Sequence, residues 1–310
     1  MAFIRAFGSY LPARAVTNSE LAESLGCTAE WIREASGIEE RRYAAAEETV
    51  DVMAANAARD CLERAGVGAD KIGMVIVASG SAERRFPGPA CLVAKHLGLG
   101  DVPALDVPMA SAGSLFAMSM AAQFTARYES ILVIGAEKMS TVVSRPPVDK
   151  NIAILFGDGA GACLIQQQGG GYRIVDSVLH SDGAFADDLQ LPHGEAFRMN
   201  GRSVIMQATR KIPSVIQEVL QRNQKPAAEI ECFLLHQANQ NLMDRVARAL
   251  GVANDRIYTN IRTYGNTSSA SMLIAASEWW RGRDPAASAI CFGVFGAGFH
   301  WGALLAEAAS

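Results

Sequence analysis

The sequence predicts an α/β protein built as two intimately packed, similar halves, and three observations carry that prediction. Val- and Ile-rich runs of strand length alternate with helical patterns along the 310 residues. No Pro-, Gly- or Ser-rich linker or low-complexity stretch divides the chain, and the one polar, glycine-rich break, 166–171, falls near its middle. On either side strands and helices follow in a similar order, which predicts a duplicated unit with halves 1–168 and 169–310, although no residue-level repeat is visible.

Taken in order, the first clear helix is 50–64, where Val50, Met53, Ala57 and Cys61 share one face and Gly66 supplies a C-terminal stop. A buried strand at 72–78 follows, then a helix of small apolar residues at 111–124. Strands are expected at 130–134, 160–166 and 172–179, a helix at 204–222, a strand at 231–235, helices at 239–250 and 268–280, and a strand at 289–295.

Composition narrows the function classes. Half of the residues are apolar and 19% are charged, enough for a large core. A net charge of -4, with no Lys/Arg run interleaved with aromatics, argues against a nucleic-acid partner. The first residues show no apolar leader with a small-residue cleavage site, and no apolar run reaches membrane-spanning length, so a cytoplasmic protein is expected. The six cysteines, at 27, 61, 91, 163, 232 and 291, form no Cys-x-x-Cys pair and read as buried reduced thiols. No His, Cys or carboxylate cluster has metal-site spacing. The elbow of an α/β-hydrolase and a dinucleotide fingerprint are also missing: there is no Gly-x-Ser-x-Gly, and residues 157–161 are not Gly-x-Gly-x-x-Gly.

Four segments could carry chemistry. In 106–115, Ser111 stands where a loop runs into an apolar helix; it either presents a hydroxyl to the positive helix end or caps the helix. His236 follows an apolar strand, where α/β folds place their sites and where structural histidines also occur. Asn266 sits at the glycine turn 264–268, a functional or a conformational position. The glycines of 295–302 admit a close ligand or make a bulge.

In this order and spacing, the four segments resemble the β-ketoacyl-acyl-carrier-protein synthase III family over essentially the whole chain. The nucleophile corner Asp-Val-x-x-Ala-Cys-Ala-Gly is matched at 106–113 except that Ser111 replaces Cys. His-Gln-Ala-Asn at 236–239, Gly-Asn-Thr-Ser at 265–268, Phe-Gly-Asp-Gly-Ala-Gly at 156–161 and Gly-Phe-x-Trp-Gly at 298–302 complete the match. The resemblance implies a thiolase-like fold of five layers, αβαβα. It implies catalytic roles for Ser111, His236 and Asn266, and oxyanion donation by the N–H groups of Ser111 and Ala297. It makes acyl-coenzyme A a substrate, with no resident cofactor or metal, and names an acyl carrier protein as partner. Trp31 aligns with the residue that stacks on the adenine, Lys150 with a phosphate contact, and Met199 and Gly201 with the pantetheine tunnel. Phe86 aligns with the residue that reaches into the partner's acyl pocket in a homodimer.

Three departures stand out: Ala35 and Asn241 replace arginines, the second associated with carrier docking, and Ser114 replaces a Phe. A hydroxyl is not usefully ionised by a helix end alone, so Ser111 calls for His236 as general base, oriented by Asn266. The leading reading is acyl transfer through Ser111, with decarboxylative condensation onto a malonyl thioester as the family reaction. A second is transfer of the acyl group to a small alcohol or amine; a third is a catalytically silent partner subunit, against which the intact His236 and Asn266 argue.

Overall fold

Met-Val-Ile-Val-Ala at 74–78 shows no polar alternation, so a strand there must be covered on both faces. The computed structural model, which describes residues 1–281 and 288–309, provides that cover. Its strands are β1 (Phe3–Tyr10), β2 (Arg14–Thr17), β3 (Glu40–Tyr43), β4 (Met74–Ala78), β5 (Ala104–Val107), β6 (Ser130–Lys138), β7 (Asp158–Gln166), β8 (Tyr172–Ser181), β9 (Leu189–Gln190), β10 (Arg198–Met199), β11 (Ile230–Leu235), β12 (Ala289–Gly296) and β13 (His300–Ala308).

Nine of them form one hydrogen-bonded run in the order β11-β12-β13-β8-β1-β7-β6-β4-β5. The run is jointed in the middle, because β1 and β8 pair only at Phe3 with Arg173 and Ile4 with Tyr172. From that joint the two sides repeat one topology. β1 lies antiparallel to β7, β7 antiparallel to β6, and β6 parallel to β4. β8, β13, β12 and β11 follow with the same senses. Even the outer strand has a counterpart: β5 runs parallel to β4, and Ile257 makes a single parallel bridge to Phe233 of β11.

Helices Gly113–Phe124 and Ser271–Trp280 pack against strands of both sides and form the middle layer, while Val50–Ala65 covers the first sheet half and Gly201–Arg222 the second. The layers are therefore αβαβα, the thiolase-like arrangement. Sequence follows position. The outer helices carry polar faces toward solvent, whereas the inner pair is apolar or small almost all round. Phe7 on β1 joins the layers, its ring 5.5 Å from Trp280 and 6.0 Å from Phe292 of β12.

Several boundaries differ from expectation. The strand expected from 72 starts at Met74, since Ile72 closes the short turn 69–71. The helix expected from 111 starts at Gly113, and the one expected from 268 opens with a single 3-10 turn before Ser271. β1, β5 and β13 lacked a clear signal: β1 is irregularly buried, β5 has four residues, and β13 begins inside the glycine-rich closing motif. Among the described residues no helix is long and apolar enough to cross a membrane.

Phe7→Ala tests the jointed core. It removes a fully buried ring shared by both sheet halves, so a loss of about 3–5 kcal/mol in denaturant unfolding is expected, in one transition rather than two.

Candidate active site

The chain leaves β5 at Val107 and turns at 108–112 into the helix Gly113–Phe124. The N-cap of that helix is Ala112, with no side-chain cap bond, so Ser111 is not a capping residue. It occupies the left-handed region instead, at φ 63°, and is 9% exposed. A side chain other than glycine's pays on the order of 1 kcal/mol there, and such outliers gather at functional sites. Gly296, the last residue of β12, lies hard against this corner. A Cβ on it would stand 2.3 Å from the Ala110 carbonyl oxygen and 2.8 Å from the Ala112 nitrogen, so only glycine fits. Ala297 follows directly, in the β12–β13 turn.

The Ser111 N–H donates to Ser268 Oγ at 3.0 Å. One of the two oxyanion donors implied by the family resemblance is therefore engaged inside the protein. The expected dyad is also unformed: among the described residues Ser111 Oγ makes no hydrogen bond to His236.

His236 leaves β11 with its own N–H bonded to the Gly293 carbonyl of β12 at 2.9 Å. Its Nδ1 lies 2.6 Å from Ser271 Oγ, which accepts the Gln237 N–H at 3.0 Å; with the Ser271 hydrogen directed at Nδ1, the ring's one N–H is on Nε2. Burial of the imidazole takes its pKa from 6.5 down to about 4, the Ser268 carbonyl opposing weakly. His236 is thus a neutral ring at pH 7. It is well suited to polarise a carbonyl and a weak base toward a hydroxyl.

Asn266 is fixed by the segment after 153. Its N–H donates to the Leu155 carbonyl at 2.9 Å and its carbonyl accepts the Gly157 N–H at 3.1 Å. The two segments cross so closely that a Cβ on Gly157 would stand 2.4 Å from the Tyr264 carbonyl oxygen. That explains the glycine at the start of the 156–161 motif. The Asn266 Oδ1 accepts the Ser268 N–H at 2.8 Å, which leaves the amide nitrogen as the end available to a ligand.

Ser111, His236 and Asn266 line one cavity of about 300 Å³, walled by Phe156, Leu189, Phe295 and Leu242 and including Met199 and Gly201. No cysteine lines it. Trp31 lies on the same cavity, with Lys150 Nζ 5.7 Å from its ring centroid. Both departures from the arginine pattern are near this end: Ala35 lines the cavity, and Asn241 donates to the Glu34 carbonyl at 3.1 Å, clamping two helices together. Phe86 is elsewhere, 86% exposed and away from the cavity wall. A larger cleft of about 740 Å³, lined by parts of 77–89, 106–108 and 191–194, contains none of the three residues.

Sequence reasoning missed Ser268, Ser271 and Glu137. The available signals were small hydroxyl residues just after Asn266, on an otherwise apolar helix, and a charged Glu137-Lys138 pair closing the fully buried β6.

A buried corner that presents a hydroxyl at a helix N-terminus, opposite a neutral His and an Asn amide, defines an acyl-transferring enzyme of the thiolase-like class. Sequence models of 3-oxoacyl-[acyl-carrier-protein (ACP)] synthase III match residues 105–183, and those of its C-terminal part match 220–308. The chain is 37% identical over 311 residues to β-ketoacyl-[acyl-carrier-protein] synthase III of Pectobacterium atrosepticum and 36% identical over 311 residues to that of Baumannia cicadellinicola, with 96% of each chain covered in both. Its structure superposes on 3-oxoacyl-[acyl-carrier-protein] synthase III of Aquifex aeolicus with TM-score 0.95 at 33% identity, covering 99% of this chain and 100% of the other. The priming β-ketosynthase of the R1128 polyketide pathway gives TM-score 0.93 at 29% identity, over 99% and 96%. The chain belongs to the β-ketoacyl-acyl-carrier-protein synthase III family.

Two measurements follow from the geometry. Between pH 6.5 and about 4 the unfolded chain protonates His236 while the folded chain does not. Stability from this residue is therefore complete above 6.5 and falls as pH drops toward 4. Denaturant curves at pH 7, 6 and 5 should show that slope, and His236→Gln should show a shallower one, keeping the part due to His300, whose burial also lowers its pKa. Gly296→Ala should displace the nucleophile corner, costing about 1–3 kcal/mol in unfolding and at least tenfold in any Ser111-dependent reaction rate.

Proposed function

We propose that this chain takes an acyl group from acyl-coenzyme A onto Ser111, and that decarboxylative condensation with a malonyl thioester on an acyl carrier protein is the reaction of its family to which the site is fitted. The observation that carries the reading is the convergence of Ser111, His236 and Asn266 on one apolar cavity with Trp31 at its wall. Trp31 offers a ring face to the adenine and Lys150 a cation to a phosphate. Met199 and Gly201 line the path of the pantetheine arm. His236 and the Asn266 amide donate to the thioester carbonyl, holding the enolate that forms as carbon dioxide leaves. Ala297 supplies an N–H to the oxyanion at Ser111, and the acyl carrier protein brings the malonyl group. No resident cofactor enters.

The serine shifts the balance between the two half-reactions. A neutral imidazole with a pKa near 4 gives Ser111 little base assistance, so acylation is the slow half. Transfer from a thioester to an oxygen is downhill, and the resulting oxyester is a poorer electrophile toward carbon. That observation, with Asn241 in place of the carrier-docking arginine, favours a second reading: acyl transfer to a small alcohol or amine without condensation. Intact-protein mass after incubation with a panel of acyl-coenzyme A thioesters tests the first half. An adduct on the chain that Ser111→Ala abolishes supports the proposal, and Ser111→Cys should acylate at least about tenfold faster. No adduct on either the serine or the cysteine form overturns it. Carbon dioxide release from a malonyl donor then separates condensation, which produces it, from transfer to an alcohol or amine, which does not.

The proposed working form is a homodimer. β5 ends the sheet as an edge strand with Leu105 37% exposed, and Phe86 stands in solvent nearby in sequence to that cleft's lining segment. Unpaired edges with apolar side chains invite a second chain. Leu105→Lys should shift the protein toward monomer in sedimentation velocity; an unchanged dimer would place the interface elsewhere, and a wild-type monomer would remove the proposal.

A further inference from the structure

Ser268 hydrogen-bonds to two of the three residues of the site. Its N–H donates to Asn266 Oδ1 at 2.8 Å and its Oγ accepts the Ser111 N–H at 3.0 Å. It is itself strained, at φ 47°. Of the three described residues other than glycine with positive φ, two are Ser111 and Ser268, joined by one hydrogen bond. Two unfavourable backbone conformations in mutual contact persist only where surrounding structure over-determines them.

Glu137 is what surrounds them. This side chain near the end of β6 is fully buried and meets only donors. Its Oε1 accepts from Ser268 Oγ at 2.9 Å and Ser269 Oγ at 2.7 Å. Its Oε2 accepts from Ser81 Oγ at 2.5 Å and Ser79 Oγ at 3.3 Å, and the Gly80 N–H lies 3.0–3.1 Å from both oxygens. An amide in this place would turn an N–H toward donors, so the pattern suits a carboxylate. Because the Ser268 hydroxyl donates to a carboxylate, its oxygen is the stronger acceptor for the Ser111 N–H.

We propose that Glu137 is a positioning residue for this enzyme: through Ser268 it holds the corner carrying Ser111 in its left-handed geometry and keeps the Asn266 amide aimed into the cavity. The assignment rests on the acyl-transfer reading for its role in turnover, and on geometry alone for its effect on residue 111. Its test therefore has two readouts. In a Ser111→Cys background, the pH-dependent rate of alkylation of residue 111 by iodoacetamide, followed by mass spectrometry of the peptide that contains it, needs no substrate. Acylation by acyl-coenzyme A is measured alongside as rate and half-saturation.

Ser268→Ala and Ser268→Gly should each change the alkylation rate at least tenfold and lower the acylation rate about 10–100-fold, with half-saturation within about threefold. Glycine relaxes at φ 47°, so an equal loss in both variants assigns the effect to the hydroxyl rather than the backbone. Glu137→Gln should match them. If it unfolds, read from its denaturation curve, Ser268→Gly decides. Ser81→Ala removes another donor to the same carboxylate without touching residue 111 or Ser268; it should move both rates in the direction of the Ser268 variants by a smaller factor. Altered alkylation with no acylation in any form would keep the positioning role and discard the acyl-transfer reading. Unchanged alkylation and acylation per folded molecule in both Ser268 variants would overturn the proposal.

Discussion

The site depends on one hydrogen bond, from the Ser111 N–H to Ser268 Oγ. It joins two backbone positions that are each unfavourable alone, and it crosses from the first half of the chain to the second. Among the described residues it is the one side-chain hydrogen bond between the corner carrying Ser111 and the turn carrying Asn266. With it, a displacement of either is felt by the other. The buried carboxylate of Glu137 extends the constraint to the 79–81 loop, so three segments share one polar centre inside an otherwise apolar core.

The duplicated fold makes that meeting possible. In each half two neighbouring strands run parallel, β4 with β5 and β11 with β12, so their C-terminal ends lie on the same side. The corner carrying Ser111 follows β5, His236 follows β11, and the β12–β13 turn brings Gly296 against Ser111. The inner helices are small-residue and apolar because they lie between two sheets, and their N-terminal ends frame the cavity. The cavity is lined accordingly, with Ser111 from one half and His236 and Asn266 from the other.

In the proposed reaction, a hydroxyl in place of a thiol would alter acylation more than enolate stabilisation. The donors that would hold an enolate depend on His236 and Asn266, whose hydrogen bonds to Ser271, Ser268 and the 155–157 backbone are complete. Activation of Ser111 depends on a base, and burial has taken His236 far from the pKa at which it would serve as one. Asn241, at the position where the resemblance implies an arginine, ties two helices together through the Glu34 carbonyl.

Much of this was legible in the residues. Alternating patterns announced an α/β chain, and the spacing of the Ser111, His236 and Asn266 motifs pointed to the family. Local pattern failed where the cause is not local. β13 hides in a glycine-rich turn whose form is set by a corner about 185 residues earlier in the chain. By itself the sequence determined the α/β class and, through the spacing of its motifs, the family, because hydrophobic pattern and side-chain chemistry are properties of residues and their near neighbours. Only the tertiary structure decided that Ser111 is no helix cap, that its N–H is spent on Ser268, and that His236 is a neutral ring. Hydrogen-bond partnership and desolvation arise between segments that the chain order keeps far apart.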